Sequence, residues 1–240
     1  MISRSEKIKF VILRTFGNFL ILFALFGMGM TFGPAGWEEA QYRYRQFRNV
    51  HYVVAEEKKV EEVEKVEPTS IPTQVPPTFF GQLTGGNKVE ELRPVDPYFS
   101  VVIPKIGANA KVIPNVDAAD SDEYLSALEK GVAHASGTDF PGGRSTVYLF
   151  AHSTDSFWNV GRYNAVFYLL KELNPGDEIN VFFARVRHKY KVVERRIVSP
   201  NEVNYLTDKS PYEQLILQTC WPPGTTLERL LVIARPESEI

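Results

Sequence analysis

The single cysteine of the chain, Cys220, is the residue whose position best suits a chemical role. It follows an apolar, strand-like run at residues 215–217 and precedes the turn Trp221-Pro222-Pro223-Gly224. A lone thiol has no disulfide partner within the chain, so it is either a reactive nucleophile or a buried packing residue. On position alone the buried alternative is the more common one, because most free cysteines are buried and inert.

Two further residues supply what a thiol nucleophile needs. His152 ends an apolar stretch at residues 145–152, and Arg229 lies near the start of another at 227–234. Cutting an amide through a thioester requires a thiolate to attack the carbonyl and a proton donor for the leaving amine. It also requires a cationic or N–H donor for the oxyanion. Cys220, His152 and Arg229 can fill these roles if the fold brings them into one groove.

Four stretches, in order along the chain, resemble the sortase family of cysteine transpeptidases. They are IPKIGANAKVIPNV at 103–116, STVYLFAH at 145–152, NPGDEI at 174–179, and the Thr-Cys pair followed by an arginine at the head of the next strand. The resemblance covers residues 98–236 and implies an eight-stranded β-barrel with Cys220, His152 and Arg229 at the catalytic positions. It also implies cleavage of a C-terminal sorting signal, LPXTG-like, at a Thr–Gly bond, with transfer to an amine.

The residues on either side of the cysteine, Thr219 and Trp221, are the candidate substrate-binding residues. Thr219 either orients the substrate or contributes to the oxyanion site, or it fills a strand as a good β-former. Trp221 opens a proline-rich turn that would form a stiff, partly apolar wall of the cleft. Residues 199–213 correspond to the specificity loop of sortases but lack an apolar run, which leaves the recognised side chains open.

Rival assignments exist for the proton donor and for the cation. His134, in GVAHASGTDF, is expected in a loop where sortases often carry a non-catalytic histidine, so His152 is preferred. Strand alternation puts Arg229 and Arg235 on one face, but six residues at ~3.3 Å each separate them by roughly 20 Å. Arg229 is preferred because it begins its strand beside the turn that leaves Cys220.

Composition excludes several other classes of function. A net charge of -2 without a basic stripe gives no nucleic-acid footprint. One cysteine excludes a disulfide scaffold and a cysteine-rich metal site. The histidines lack metal-ligand spacing and no acidic cluster suggests calcium, so no metal or other cofactor is expected.

The N-terminal region predicts a single membrane anchor. Residues 10–35 are almost entirely apolar, and the one charge, Arg14, lies near the start, where it can reach the interface. A cleaved signal peptide is the alternative, but the run is long for one and no clear cleavage site follows. Basic residues at 4, 7, 9 and 14 favour a cytoplasmic N-terminus at 1–9, with the rest of the chain outside the cell membrane. The sortase resemblance implies the same orientation.

Between the anchor and the main domain, two segments are expected to act as a spacer. Residues 36–67 predict a juxtamembrane helix, either a solvated stalk or a self-associating helix. Residues 68–97 are rich in proline and glycine and predict a linker that holds the domain away from the bilayer. Asp96-Pro97-Tyr98 resembles the lid motif of pilin-building sortases, but it directly precedes the first strand and is expected to begin that strand.

Residues 98–240 predict a mainly β catalytic domain, since many short strands alternate with turns. Helical stretches are expected at 121–130 and 163–173. Periodicity does not distinguish a barrel from a sandwich, and the barrel is implied by the resemblance.

The sequence thus predicts a membrane-anchored cysteine transpeptidase at the cell surface. Its partners would be proteins with a C-terminal sorting signal and an amine acceptor, either a cell-wall precursor or another surface protein. The alternatives are an extracellular cysteine peptidase that uses water, and a non-catalytic β-barrel binding module. The presence of Cys220, His152 and Arg229 together argues against the binding module.

Overall fold

The structure is a computed structural model, and it describes residues 4–55, 88–153 and 166–239. The helices are α1 (Arg4–Phe47), α2 (Ser121–Leu128) and α3 (Asn204–Thr207). The strands are β1 (Val50–Val54), β2 (Lys88–Leu92), β3 (Phe99–Ile103), β4 (Ala108–Val116), β5 (Val132–Ala135), β6 (Thr146–Phe150), β7 (Glu178–Phe183), β8 (Val186–Val198), β9 (Gln214–Trp221) and β10 (Glu228–Pro236). Short 3-10 turns lie at Pro104–Ile106, Tyr168–Glu172 and Glu237–Glu239.

Strands β3 to β10 close into a barrel in the order β10-β8-β7-β3-β4-β5-β6-β9, with β9 pairing back onto β10. The β4–β5 and β6–β9 pairs are parallel, and the other neighbours are antiparallel. Closure leaves the sheet without a free edge. The eight-stranded barrel implied by the resemblance is confirmed.

The core explains why several strands read as continuous apolar runs. β3 and β6 are buried along their whole length, so both of their faces need apolar side chains. Longer strands such as β8 alternate between buried and exposed positions, because one face meets solvent. The fully buried side chains of Tyr190, Phe167 and Leu149 are among the largest in the core.

The two predicted helical stretches have different outcomes. α2 begins after Asp120, whose side chain accepts hydrogen bonds from the backbone N–H groups of residues 122 and 123, as an N-cap should. The expected helix at 163–173 is shorter: a 3-10 turn covers Tyr168–Glu172, while residues 163–165 lie outside the described part of the chain. Pro175 follows closely, and a proline disfavours the helical conformation of the residue before it, here Asn174.

The N-terminal helix α1 contains a segment, Arg4–Met30, that is long and apolar enough to cross a membrane. Its length and composition suggest membrane anchoring. The helix continues without interruption to Phe47.

The expectation of a helix over residues 36–67 is wrong at residues 50–54, where the chain forms β1 after a turn at Asn49. β1 pairs in parallel with β2, which lies in the segment expected to be a linker. Alternating apolar residues explain the strand: Val54 is buried against Val102 of the barrel, whereas the intervening residues are more exposed. Residues 56–87, which include the rest of the expected stalk and most of the linker, lie outside the described residues.

Candidate active site

Cys220 and Arg229 lie directly opposite each other on neighbouring strands. β9 and β10 pair antiparallel, and these two residues are Cα partners in the register. Such partners have Cα atoms about 4.5–5.5 Å apart, with side chains on the same face of the sheet. The two residues therefore begin from neighbouring positions on one face of the sheet.

His152 reaches the same position from the other side of β9. β6 runs parallel to β9, with Phe150 paired to Gln218. The alignment continues past the end of β6, because the N–H of Ala151 donates to the carbonyl of Gln218 at 3.1 Å. His152 and Cys220 each lie two residues after the Phe150–Gln218 pair, so the two residues are level with each other. Neighbouring strands lie ~4.8 Å apart. His152, Cys220 and Arg229 thus occupy one row across β6, β9 and β10, with His152 just past the end of β6.

The turn between β9 and β10 holds the guanidinium of Arg229. Its Nη1 donates to the carbonyls of Thr226 at 3.1 Å and Glu228 at 3.0 Å. The turn is braced by Thr225, whose N–H and hydroxyl both donate to the carbonyl of Pro222. Because both bonds of Arg229 use Nη1, the hydrogens on Nε and Nη2 are left to other acceptors. An arginine side chain keeps its charge at any physiological pH, which suits stabilisation of an oxyanion.

Thr219 has a contact that differs from its predicted substrate-binding role. It lies on the opposite face of β9 from Cys220, is buried, and its hydroxyl donates to the carbonyl of Ala151 at 3.0 Å. This bond fastens the residue before His152 to the residue before Cys220. The contact helps to position the row that contains Cys220 and does not itself point to a substrate, so the substrate-binding role of Thr219 stays a prediction.

Trp221, the other predicted substrate-binding residue, ends β9 opposite Glu228 and packs partly buried against the barrel core. Its partial exposure beside Cys220 is compatible with a wall of the cleft. The substrate-binding role of Trp221 stays a prediction.

His134 was expected in a loop, but it lies in β5 and is fully buried. The N–H of Asn115 donates to its Nδ1 at 3.3 Å, so Nδ1 carries a lone pair and Nε2 carries the proton. Nε2 lies 2.9 Å from the carbonyl of Asp139, which accepts that proton. Burial lowers the pKa of His134 and keeps the ring neutral. All its contacts are within the core, so His134 is a structural histidine.

Arg235, the rival of Arg229, lies near the far end of β10 opposite Lys191. Its guanidinium stacks over the ring of Tyr212 at 4.3 Å. The register separates it from the row that contains Cys220. In the same way His188, on β8, is half-buried beside Gly142 and remote from that row.

A second row of residues, behind the first, forms the floor of the site and was not predicted. It contains Phe150, Gln218, Leu231 and Arg196 as successive cross-strand partners. The hydroxyl of Tyr148, one row further back, donates to Oε1 of Gln218 at 2.5 Å. Burial raises the pKa of Tyr148, and the nearby charge of Arg229 opposes this. Gln218 could be placed on this face from the sequence, because residues two apart in a strand lie on the same face and Gln218 precedes Cys220 by two residues.

The connection between β8 and β9, residues 199–213, closes the site on the side of β8. Arg196 forms a paired hydrogen bond with Glu194 and also donates to the hydroxyl of Tyr205, in α3 of this connection. At its far end Glu213 accepts hydrogen bonds from Tyr190 at 2.5 Å and from the N–H of Gly142 at 2.8 Å. A cavity of about 330 Å³ within the connection is lined by polar and aromatic side chains, among them Glu202, Tyr205, Asp208, Lys209 and Tyr212.

Asp96-Pro97-Tyr98 is held at the opposite end of the barrel from the catalytic row. The carbonyls of Pro97 and Tyr98 accept hydrogen bonds at 2.9 Å from the turn between β7 and β8. β8 leaves this turn at Val186 and reaches Arg229 only at its other end, where Val198 is the partner. The segment therefore begins β3 and does not cover Cys220.

Within the described ranges, no group of three or more histidine, cysteine, aspartate or glutamate residues has the arrangement of a metal site. The chemistry of the row rests on a thiol, an imidazole and a fixed cation. Such a set belongs to enzymes that use a cysteine as a covalent nucleophile.

Comparison with known families narrows that class. Residues 101–237, more than half of the chain, match the Sortase domain family. The chain belongs to the sortase family, whose members are cysteine transpeptidases. A stretch of 120 residues, 50% of the chain, is 29% identical to Sortase D of Bacillus subtilis strain 168. The chain matches about half, 52%, of the length of that relative.

Solved structures similar to this chain are also sortases. Sortase C-1 from Actinomyces oris is 29% identical with a TM-score of 0.49, and the match covers 59% of this chain and 75% of that one. Sortase A from Corynebacterium diphtheriae is 27% identical with a TM-score of 0.48, over 66% of each chain.

Proposed function

We propose that this protein is a membrane-anchored transpeptidase that cleaves a C-terminal sorting signal and joins the remaining protein to an amine at the cell surface. The observation that carries the proposal is the row in which Cys220 lies between His152 and Arg229. The LPXTG-like signal and its Thr–Gly bond come from the resemblance to sortases.

In the first half of the reaction, the thiolate of Cys220 attacks the carbonyl carbon of the scissile amide and a C–S bond forms. The carbonyl oxygen becomes an oxyanion, which the guanidinium of Arg229 stabilises by hydrogen bonds and charge. The tetrahedral intermediate collapses, the C–N bond breaks, and the imidazolium of His152 gives its proton to the leaving amine. The products are a thioester on Cys220 and the released C-terminal fragment.

In the second half, the amine of the acceptor attacks the thioester carbon. The neutral imidazole of His152 takes the proton of the attacking amine, and the C–S bond breaks to return the thiolate of Cys220. A new amide joins the protein to its acceptor, which is a cell-wall precursor or another surface protein. Water in place of the amine gives hydrolysis by the same steps, which is the peptidase alternative.

The barrel suits this chemistry because its strands fix the spacing of the reacting groups. Sites built on strands hold their geometry better than sites built on loops. The hydrogen bond from Thr219 to the carbonyl of Ala151 adds a fixed link between β9, which carries Cys220, and the segment after β6 that carries His152.

We also propose the orientation of the chain: α1 crosses the membrane once, residues 1–9 are cytoplasmic, and the catalytic domain of residues 98–240 is outside. Support comes from the apolar segment Arg4–Met30 and from the basic residues that accompany its beginning.

The test uses the full-length protein, a labelled LPXTG-type peptide and an amine acceptor. The expected results are a transfer product that requires the amine, and a thioester-linked peptide on Cys220 captured by mass spectrometry. Cys220→Ala should abolish both, while His134→Gln serves as a matched control outside the row. Cleavage that persists in Cys220→Ala would reject the mechanism. Hydrolysis unchanged by any amine would favour the peptidase, and a folded protein whose thiol reacts with no electrophile would favour the binding module.

A further inference from the structure

The last part of α1 has two faces with different surroundings. One face packs on the barrel: Tyr42 is 4% exposed and belongs to the barrel core. On the same side, Glu39 forms an ion pair with Lys171, in the connection between β6 and β7, at 2.8 Å. The opposite face carries Trp37, Tyr44 and Phe47, whose exposed fractions are 66%, 63% and 84%.

We propose that this exposed face, here called the aromatic face and defined by Trp37, Tyr44 and Phe47, lies in the lipid headgroup layer and holds the catalytic barrel against the membrane surface. The inference rests on the membrane anchoring proposed above. In this proposal the contact of α1 with the membrane surface takes the place of the spacer expected from the sequence, because the barrel is packed directly on the helix that leaves the bilayer.

The spacing of the three aromatic residues puts them on one side of the helix. At 3.6 residues per turn, positions 37, 44 and 47 fall within about a quarter of the helix circumference. The exposed Arg43 and Arg48 flank this side and add positive charge. The amphipathic rings of tryptophan and tyrosine favour the boundary between hydrocarbon and water, and arginines attract anionic headgroups.

The length of the helix brings this face to the required depth. The apolar run 10–35 is ~39 Å long at ~1.5 Å per residue, against a hydrocarbon core of about 30 Å. A run longer than the core is accommodated by tilt, here roughly 40°, which is the upper part of the usual range. With this tilt the backbone of Tyr44 lies about 10 Å beyond the hydrocarbon, and the headgroup layer extends roughly 5–8 Å from it. Because helical side chains point back towards the N-terminus, which here means towards the membrane, the ring of Tyr44 reaches down to this layer.

The opposite face of α1 packs on the barrel and so connects the proposed membrane contact to the barrel. Arg45 donates to the hydroxyl of Tyr52 at 3.3 Å, and both side chains press against Gly107, where an added Cβ would lie 3.0 Å from Arg45 and 3.1 Å from Tyr52. Lys171 also lies 4.6 Å above the ring of Tyr168. Helix, β1 and barrel therefore meet through several contacts, which fixes the height of the Cys220 row relative to the bilayer.

The test places a fluorescent depth probe on the aromatic face. Full-length protein with Cys220→Ala, which removes the native thiol, receives one cysteine at Tyr44→Cys and an NBD label, in nanodiscs of phosphatidylcholine and phosphatidylglycerol. The expected emission is blue-shifted and quenched by doxyl-labelled lipids, more strongly at Trp37→Cys and more weakly at Phe47→Cys. The matched control is Val186→Cys, which is 54% exposed on the barrel and should be quenched by iodide in water instead.

Three outcomes would overturn the proposal. Equal iodide quenching at positions 44 and 186 would place the aromatic face in water. A blue shift found only in nanodiscs that hold two copies would assign the face to a second protein chain. Release of the wild-type protein from vesicles by alkaline carbonate would reject the anchoring itself, which separates that failure from a failure of the aromatic face alone.

Discussion

Cys220 and Arg229 are direct cross-strand partners in the barrel, so the backbone pairing of β9 and β10 sets the spacing of their Cα atoms and puts both side chains on one face of the sheet. The guanidinium is additionally fixed by its bonds to the carbonyls of Thr226 and Glu228. A donor that is oriented before the reaction stabilises a developing oxyanion without reorganisation, which is where electrostatic catalysis gains most.

Replacing Arg229 tests this role. Arg229→Ala should lower kcat for peptide transfer by about 10²–10³-fold, the usual effect of losing an oxyanion donor. Arg229→Lys should restore only part of the rate, because lysine keeps the charge but lacks the further nitrogen donors that arginine can offer an oxyanion while Nη1 binds the two carbonyls. The thermal midpoint should change little, since the side chain is partly exposed. Arg235→Ala, on the same strand, is the control, and an equal loss of kcat in both alanine variants would contradict the assignment.

Substitutions of two histidines of the domain, His152 and His134, should affect catalysis and stability separately. His152→Ala is expected to lower kcat about 10²–10⁴-fold, as for the loss of a general acid and base, with little change in the free energy of unfolding. His134→Gln is expected to retain kcat but to lower that free energy by about 1–3 kcal/mol, because its buried partners lose hydrogen bonds. Urea unfolding and steady-state transfer rates measure the two effects. Loss of kcat in folded His134→Gln would show that the histidine roles are reversed.

The candidate site residues His152, Cys220 and Arg229 could be predicted from the sequence only with help from the family resemblance. Strand parity puts Gln218 and Cys220 on one face, but it does not say which strands flank β9. The pairing of β9 with β6 joins segments far apart in the chain, and the resemblance identified the three residues without this pairing. The contact between Tyr148 and Gln218 depends on this pairing and was therefore not predicted.

Two errors in the sequence prediction have physical causes. β5 was missed because it is only four residues long and its sequence, Val-Ala-His-Ala, is neither a continuous apolar run nor rich in β-branched residues. The predicted helix continued past Phe47 because the apolar spacing at 47, 51 and 54 also fits a helix. The chain forms β1 there because β2 offers a pairing partner and Val102 offers a buried contact for Val54. Neither partner is visible in the local sequence.

Gly131 tests the close packing at the start of β5. A Cβ at this position would lie 2.3 Å from the backbone carbonyl oxygen of Lys111, in β4, and a backbone atom cannot rotate away as a side chain can. Gly131→Ala should therefore separate the β4–β5 pair and lower the free energy of unfolding by several kcal/mol, as overpacking does. Gly137→Ala is the control: its φ of 82° is unfavourable for alanine, but no atom lies within 4 Å of the added Cβ. A smaller loss at Gly131 than at Gly137, measured by urea unfolding, would contradict this packing.

The ion pair between Glu39 and Lys171 makes the docking of α1 on the barrel dependent on pH. The hydrogen bond from Lys171 lowers the pKa of Glu39 below its usual value of 4.5, so the pair stabilises the docked state above this pH. As the pH falls through the lowered pKa, Glu39 takes up a proton and this contribution, at most about 1 kcal/mol for a partly exposed pair, is lost. Hydrogen exchange of β1 amides, corrected for intrinsic rates, should therefore show less protection in acid.

Glu39→Gln should show the weaker protection already at neutral pH and should lack the acid-dependent loss. Arg43→Gln is the matched control, because Arg43 also binds Glu39 at 2.8 Å but is 69% exposed and lies on the face away from the barrel. Its protection at neutral pH should follow that of the wild type, while its acid-dependent loss should begin at a somewhat higher pH, because Arg43 also lowers the pKa of Glu39. If Glu39→Gln and wild type lose protection over the same pH range, then another group titrates in the docking contact and Glu39 does not control it.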